Sequence, residues 1–177
     1  VAFGIRIFVI YLNQNYFNFP DSFGDARNFE FKANELSKNG FLGAINQYPG
    51  LSSYFISWFI ALFYSVFGQS ELMAQSISLF FGMIVIYLGC IVAEKLWNTS
   101  IALKVGWFLA LFPTLILYSC LVLREVYVCF FLLVVINGLI DWLQNKNIKS
   151  FIIITLSFIA GAHFHGPIII GLIIFIF

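Results

Sequence analysis

The chain has 177 residues, 62% of them hydrophobic and only 10% charged, with a mean hydropathy of +0.97. Soluble domains run near half apolar and about a quarter charged, so that class is excluded, and several apolar runs reach the ~18 to 20 residues of a spanning helix. The formal net charge of +1 gives no basic footprint for a nucleic-acid partner.

The expected fold is all-α, a polytopic transmembrane helical bundle. Residues 1–12 are apolar apart from Arg6 and read as a partial span. Residues 13–71 read as an outer loop with two juxtamembrane helices. The first, Asp21 to Lys38, holds most of the charge that does not flank an apolar run. Ser22 and Asp25 stand in capping-box spacing and Gly40 can close the C-terminus, while Ala26, Phe29, Ala33 and Leu36 form an apolar stripe. Tyr48-Pro49-Gly50 is a turn. In Leu51 to Phe67 the small and polar residues Ser53, Ser57, Ala61 and Tyr64 or Ser65 share one helical face, opposite Phe55, Trp58, Phe59, Leu62 and Phe63. That pattern suits a helix lying in the membrane plane. Residues 72–94, 101–120 and 125–143 read as spans. Residues 150–177 read as a pair of spans broken around Gly161, Gly166 and Pro167. The start at Val and the end inside an apolar run are read as truncation, so the chain is expected to be a fragment.

Orientation follows from lysines. Lys95 and Lys104 sit in one short connector, Lys146 and Lys149 in another, and such loops face the cytoplasm. With Leu51 to Phe67 interfacial, Asp25, Arg124, Glu125, His163 and His165 then gather at the outer face. As a span, for which its 17 residues are the lower limit, it would move the lysine loops outside while the Asp25 helix stays there. Asn98-Thr99-Ser100 matches a glycosylation acceptor but falls in a cytoplasmic loop, a chance match. Cys90, Cys120 and Cys129 lie in apolar runs without metal or redox spacing and are expected to be buried packing residues.

Each polar group carries a structural and a functional reading. Asp21 and Asp25 can cap a helix, act as a general base at the membrane surface, or share a divalent cation. Arg124-Glu125 follows a break between two apolar runs. It is either an interfacial ion pair or a phosphate-binding arginine with an orienting carboxylate. His163 and His165 flank a kink, as core imidazoles or as contacts to an anionic headgroup; a His-x-His metal site lacks further ligand spacing.

With these features placed, the chain resembles the membrane-embedded glycosyltransferases of the GT-C fold. It is most similar to the bacterial branch of the lipid A aminoarabinose transferase and the protein O-mannosyltransferase-like enzymes. Asp25-Ala26-Arg27-Asn28-Phe29 through Gly40 resembles the family's first outer-loop helix with its leading catalytic Asp. Tyr48-Pro49 and YFISWFIALFYSVFGQSEL resemble the "YPPL…LLFG-x-x-E" juxtamembrane helix. CIVAEKLWNTSIAL is similar to the turn "LARRLFGRRVAL", and LFPTLILYSCLVLREVYV to "LSPLLLFYSRLLLTEALF", whose acidic residue corresponds to Glu125. His165-Gly166 stands where the aminoarabinose branch has Lys-Gly. That branch's Glu-Lys-Pro before the juxtamembrane helix is here Gln47-Tyr48-Pro49, without the carboxylate.

The resemblance implies transfer of a sugar from a polyprenyl-phosphate donor to a lipid or glycan acceptor, on the outer face of the bacterial inner membrane. It implies Asp25 as catalytic base. Arg124, Glu125, His163, His165, Asp21 and Tyr48 become substrate-binding residues, and a divalent cation is left open. Two alternatives stand beside it: a carrier or flippase for a lipid-linked sugar, and a non-catalytic membrane assembly subunit.

Overall fold

In the computed structural model, residues 1–176 are described and fold into ten α-helices and one π-turn. The helices are α1 (Ala2–Asn15), α2 (Arg27–Ser37), α3 (Gly40–Asn46), α4 (Phe55–Phe67) and α5 (Glu71–Leu96), then α6 (Thr99–Leu111), α7 (Pro113–Cys120), α8 (Glu125–Asn145), α9 (Ile148–Phe164) and α10 (Ile168–Ile176). Two of them, α5 and α8, are long and apolar enough to cross a membrane, and the bent pair α6–α7 makes a third if taken as one span. At 1.5 Å per residue α5 is about 39 Å long, more than the ~30 Å hydrocarbon core. Large apolar side chains such as Phe80, Trp107, Phe108, Ile136 and Ile152 remain exposed along these helices. A membrane-associated helical protein accounts for that surface.

Small residues set the helix contacts. Ala74, Ser78, Gly82, Gly89 and Ala93 run down the buried side of α5. A Cβ on Gly82 would fall 2.3 Å from Ser119 Cβ, and one on Gly89 2.4 Å from Leu109 Cδ1. Small residues let backbones approach where lipid gives no hydrophobic drive, so close van der Waals contact holds the helices. The α8–α9 hairpin uses the same device, with Gly138 against Ile154.

Local signals punctuate the chain as physics requires. Pro113 at the first position of α7 cannot donate to α6, and the two axes diverge by 59°. Residues 101–120, read as one span, are therefore bent in the middle. The break in residues 150–177 falls at His165-Gly166-Pro167, and Gly161 stays helical. Ser70, Asn98 and Asn147 each accept a backbone N–H and cap α5, α6 and α9. The acceptor-like Asn98-Thr99-Ser100 is thus a helix start, with Asn98 Oδ1 bound to Ile101 N at 3.0 Å.

Between α1 and α5 the expected outer loop is a layer of three short helices. The small face of α4 is buried at Ser57 and Ala61 as α4 packs on α2, and Ala61 shares one core with Phe29 and Ala33. The capping box is not formed. Asp21 takes a left-handed φ of 66°, the Ser22 hydroxyl donates back to Phe19 O at 2.7 Å, and Ser22–Ala26 winds as a π-turn. Gly40, at φ 70°, opens α3 instead of closing α2. Of the three cysteines only Cys120 is buried; Cys90 is half-buried and Cys129 exposed, because Cys129 lies on the outward side of α8.

Candidate functional site

The layer α2–α4 covers one end of the bundle. Two tethers fix it there: Arg124, before α8, lies with its guanidinium carbon 5.3 Å from the Phe29 ring centroid, and Tyr48 bonds His163 at the end of α9; within the layer Trp58 Nε1 donates to Ala44 O at 2.8 Å. At the opposite end Lys95 pairs with Asp141 at 2.6 Å, tying α5 to α8.

Under the layer, between the end of α1, the π-turn and the start of α5, opens a polar cavity of about 840 Å³. Its wall carries the charged side chains of Arg27, Glu30 and Glu71 and the amides of Asn13, Gln14, Asn15, Asn18, Gln69 and Gln75. One wall is held by a hydrogen-bonded chain. Gln14 Nε2 donates to Gln75 Oε1 at 2.9 Å, and Gln75 Nε2 donates to Glu71 Oε1 at 3.0 Å. Gln75 is 1% exposed and so is fixed, whereas the two groups it holds face the opening. On the other side Glu30 Oε1 accepts from the Tyr64 hydroxyl at 3.3 Å and from Gln69 Nε2 at 3.4 Å. Burial, and then the neighbouring Glu30 carboxylate, push the Tyr64 phenol above its ordinary range, so it stays a donor at neutral pH. Among the described residues the ion pairs are Lys32–Glu35 and Lys95–Asp141, so Arg27, Glu30 and Glu71 share a cavity without pairing. Such a wall can bind a ligand rich in hydroxyls, since carboxylates and amide oxygens accept while amide N–H and guanidinium donate.

None of the seven residues singled out in the sequence lines this cavity, but three of them adjoin it, Asp21 directly preceding the wall residue Ser22. Asp25 is exposed and directly precedes the wall residues Ala26 and Arg27; Arg124 lies two residues past the wall residue Val122. Phe29, which Arg124 covers, stands one helical turn beyond Asp25. Arg124 and Glu125 are both half-buried and do not pair. Arg124 Nε and Glu125 Oε2 are each shut from solvent without a hydrogen-bond partner among the described residues. A guanidinium and a carboxylate kept open in this way are groups with capacity for something further.

His163 and Tyr48 engage each other. The Tyr48 hydroxyl lies 3.0 Å from His163 Nδ1, and the imidazole stacks on Phe55 with ring centroids 5.0 Å apart. The pair acts as a latch between the α3–α4 turn and the end of α9. His165 and Asp21 are exposed, without side-chain hydrogen bonds among the described residues. Among these residues no group of three or more His, Cys, Asp or Glu side chains could hold a metal ion.

The sequence reading missed the cavity residues themselves. Gln14 lay in an Asn-rich loop, Glu71 flanked a span and Gln75 was the single amide in an apolar run. That last anomaly, a fixed amide four residues after a carboxylate, was the available signal. No family model, curated protein or solved structure matches the chain.

Proposed function

We propose that this chain is a membrane glycosyltransferase domain of the GT-C kind, moving a sugar from a polyprenyl-phosphate donor to a hydroxyl acceptor at the membrane surface. One observation carries the reading: a large cavity lined with carboxylates and amides lies at the end of a bundle whose outer surface is apolar. A lipid-linked sugar has the same division, an apolar tail and a polyhydroxyl head. The sugar ring occupies the cavity, where Glu30, Glu71 and Gln14 take its hydroxyls. The phosphate sits toward Arg124, which is half-buried and holds no ion pair among the described residues. His165, exposed at the kink after α9, can approach the same anion.

In the transfer step the acceptor hydroxyl loses its proton to the Asp25 carboxylate while its oxygen bonds the anomeric carbon. The bond from that carbon to the phosphate oxygen breaks, and its electron pair leaves with the polyprenyl phosphate. Arg124 offsets the charge that gathers on the phosphate, an effect that grows as water is excluded. The resemblance supplies Asp25 as base; its place beside Ala26 and Arg27 on the cavity wall agrees with that role. The outer face of a bacterial inner membrane belongs to the same proposal.

A carrier for the same lipid is the second reading, favoured by the buried polar groups Gln75 and Ser78 that continue from the cavity down α5. One assay separates the two. Full-length protein in nanodiscs is given undecaprenyl-phosphate-linked sugars, and release of undecaprenyl phosphate is followed. Asp25→Asn is nearly isosteric and should lower turnover by about 10²- to 10⁴-fold with donor affinity little changed. Full turnover in that variant removes Asp25 from the chemistry. Donor binding without turnover in the parent, for every sugar and acceptor tried, favours the carrier.

A further inference from the structure

Arg6 is fully buried, at 0% exposure, in the middle of α1. No carboxylate pairs with it among the described residues. An arginine at membrane depth is costly and persists where it does something specific. Its hydrogen bonds say what. Nη1 donates to Ala110 O at 3.1 Å and to Ala2 O at 3.1 Å, and Nε donates to Ser119 Oγ at 2.9 Å. Ala110 is next to last in α6, where carbonyls lack helical partners. Ser119 is next to last in α7. The one guanidinium therefore bonds both halves of the broken helix, across the 59° bend.

Two further contacts lock the joint. Cys120 Sγ lies 3.3 Å from Arg6 O, and Ser119 is pressed against Gly82 of α5 so closely that a Cβ there would meet it at 2.3 Å. Directly after Cys120 the chain enters Leu121 and Val122, which wall the cavity, and then Arg124.

We propose that Arg6 is a positioning residue: it holds the α6–α7 bend and thereby sets the turn 121–124 that closes the cavity and presents Arg124. The planar fork of guanidinium is suited to this, because it reaches a carbonyl and a hydroxyl at once in fixed geometry. The effect on Arg124 as a phosphate ligand rests on the function proposed above; the effect on the bend does not.

The test is a distance across the joint. Spin labels at positions 100 and 118, in full-length protein that keeps the buried Cys120 and lacks Cys90 and Cys129, lie about 24 Å apart along a helix bent by 59° and about 27 Å apart if it straightens, from the axial rise alone. Arg6→Met fills similar volume without the donors. It should lengthen or broaden that distance by about 3 Å, while a label pair on α8 and α9 stays unchanged. Ser119→Ala, which removes only one anchor, should shift it part of the way and add little on the Arg6→Met background. Arg6→Lys should give a broader distribution than the parent. In the same samples, affinity for undecaprenyl phosphate should fall about tenfold in Arg6→Met. An unchanged distance in folded Arg6→Met, or in folded Ser119→Ala and Arg6→Lys should Arg6→Met fail to fold, overturns the inference. A shifted distance with unchanged phosphate affinity leaves the bend standing and removes Arg124 from the phosphate site.

Discussion

Gln75→Leu separates the cavity from the fold around it. Gln75 is buried, donates to Glu71 at 3.0 Å and accepts from Gln14 at 2.9 Å. Leucine has a similar volume, so α5 can keep its place against α1. A buried group left without its partner costs about 1–3 kcal/mol. Here the freed partners, Glu71 and Gln14, both line an open cavity and can turn to water. The stability loss should therefore sit at the low end, about 1 kcal/mol. The effect on binding should be larger than that small change suggests. Glu71 loses the bond that aims it, and a hydrogen bond to a charged group is worth about 1.5–3 kcal/mol. Losing half of the upper figure, about 1.5 kcal/mol, weakens the donor about tenfold. Binding of undecaprenyl-phosphate sugar to nanodisc-embedded full-length protein, with thermal unfolding measured alongside, gives both numbers. Ser76→Ala is the control, since its exposed hydroxyl bonds only Leu72 O. Unchanged donor affinity in Gln75→Leu, with the fold intact, would falsify the cavity as the headgroup site.

Other expectations are simpler. Gly82→Ala places a methyl 2.3 Å from Ser119 Cβ, so α5 and α7 must part; unfolding should be easier by about 1–3 kcal/mol, read by denaturant or thermal titration. Asp141→Ala should cost less than about 1 kcal/mol in the same titration, because the Lys95–Asp141 pair is partly exposed; a larger loss would reveal a structural clamp there. Tyr127→Phe leaves the buried Ser78 hydroxyl without its 3.1 Å partner and should cost about 1 kcal/mol, whereas Tyr127→Ala also loses the stack on Phe164 and should cost about 3–5 kcal/mol. In intact cells, an impermeant thiol reagent should label a cysteine at position 31 and leave one at position 99 unlabelled; labelling at 99 would reverse the proposed orientation.

The long helices were legible because their signal is local. Apolar runs mark α5 and α8 and Gly166-Pro167 marks the break after α9, whereas the bend at Pro113 inside residues 101–120 and the helix starts at Ser70 and Asn98 were not read. The buried side of α4 was legible from the small face of Ser57 and Ala61, which packs on α2. The π-turn was not. It depends on a left-handed Asp21 that reverses the chain and sends Ser22 back to Phe19, and S-x-x-D spacing cannot report that. The cavity was hidden for a different reason. Gln14 and Gln75 meet across 61 residues, and Arg6 meets Ala110 and Ser119 across 104 and 113. Such partners exist only once α1 lies between α5 and α7.

Two arginines show how the same side chain is put to different ends. Arg6 engages Nε and Nη1 with α1, α6 and α7 and keeps Nη2 buried without a partner among the described residues, so the donors it does use hold the shape of the bundle. Arg124 holds no hydrogen bond from Nε, lies over the Phe29 ring and stands beside a carboxylate it does not pair with. A ring face steadies a guanidinium without using its in-plane donors. Those donors remain for a ligand that approaches in the plane, which is how a phosphate is held bidentately. The sequence reading singled out Arg124 with its neighbour Glu125 and passed over Arg6 as the one charge in an apolar run. The distinction is that Arg6 ties three helices together through two of its nitrogens while Arg124 Nε ties none, and under the proposed function the phosphate therefore sits at the Arg124 end of the bundle, beside the carboxylate-lined cavity.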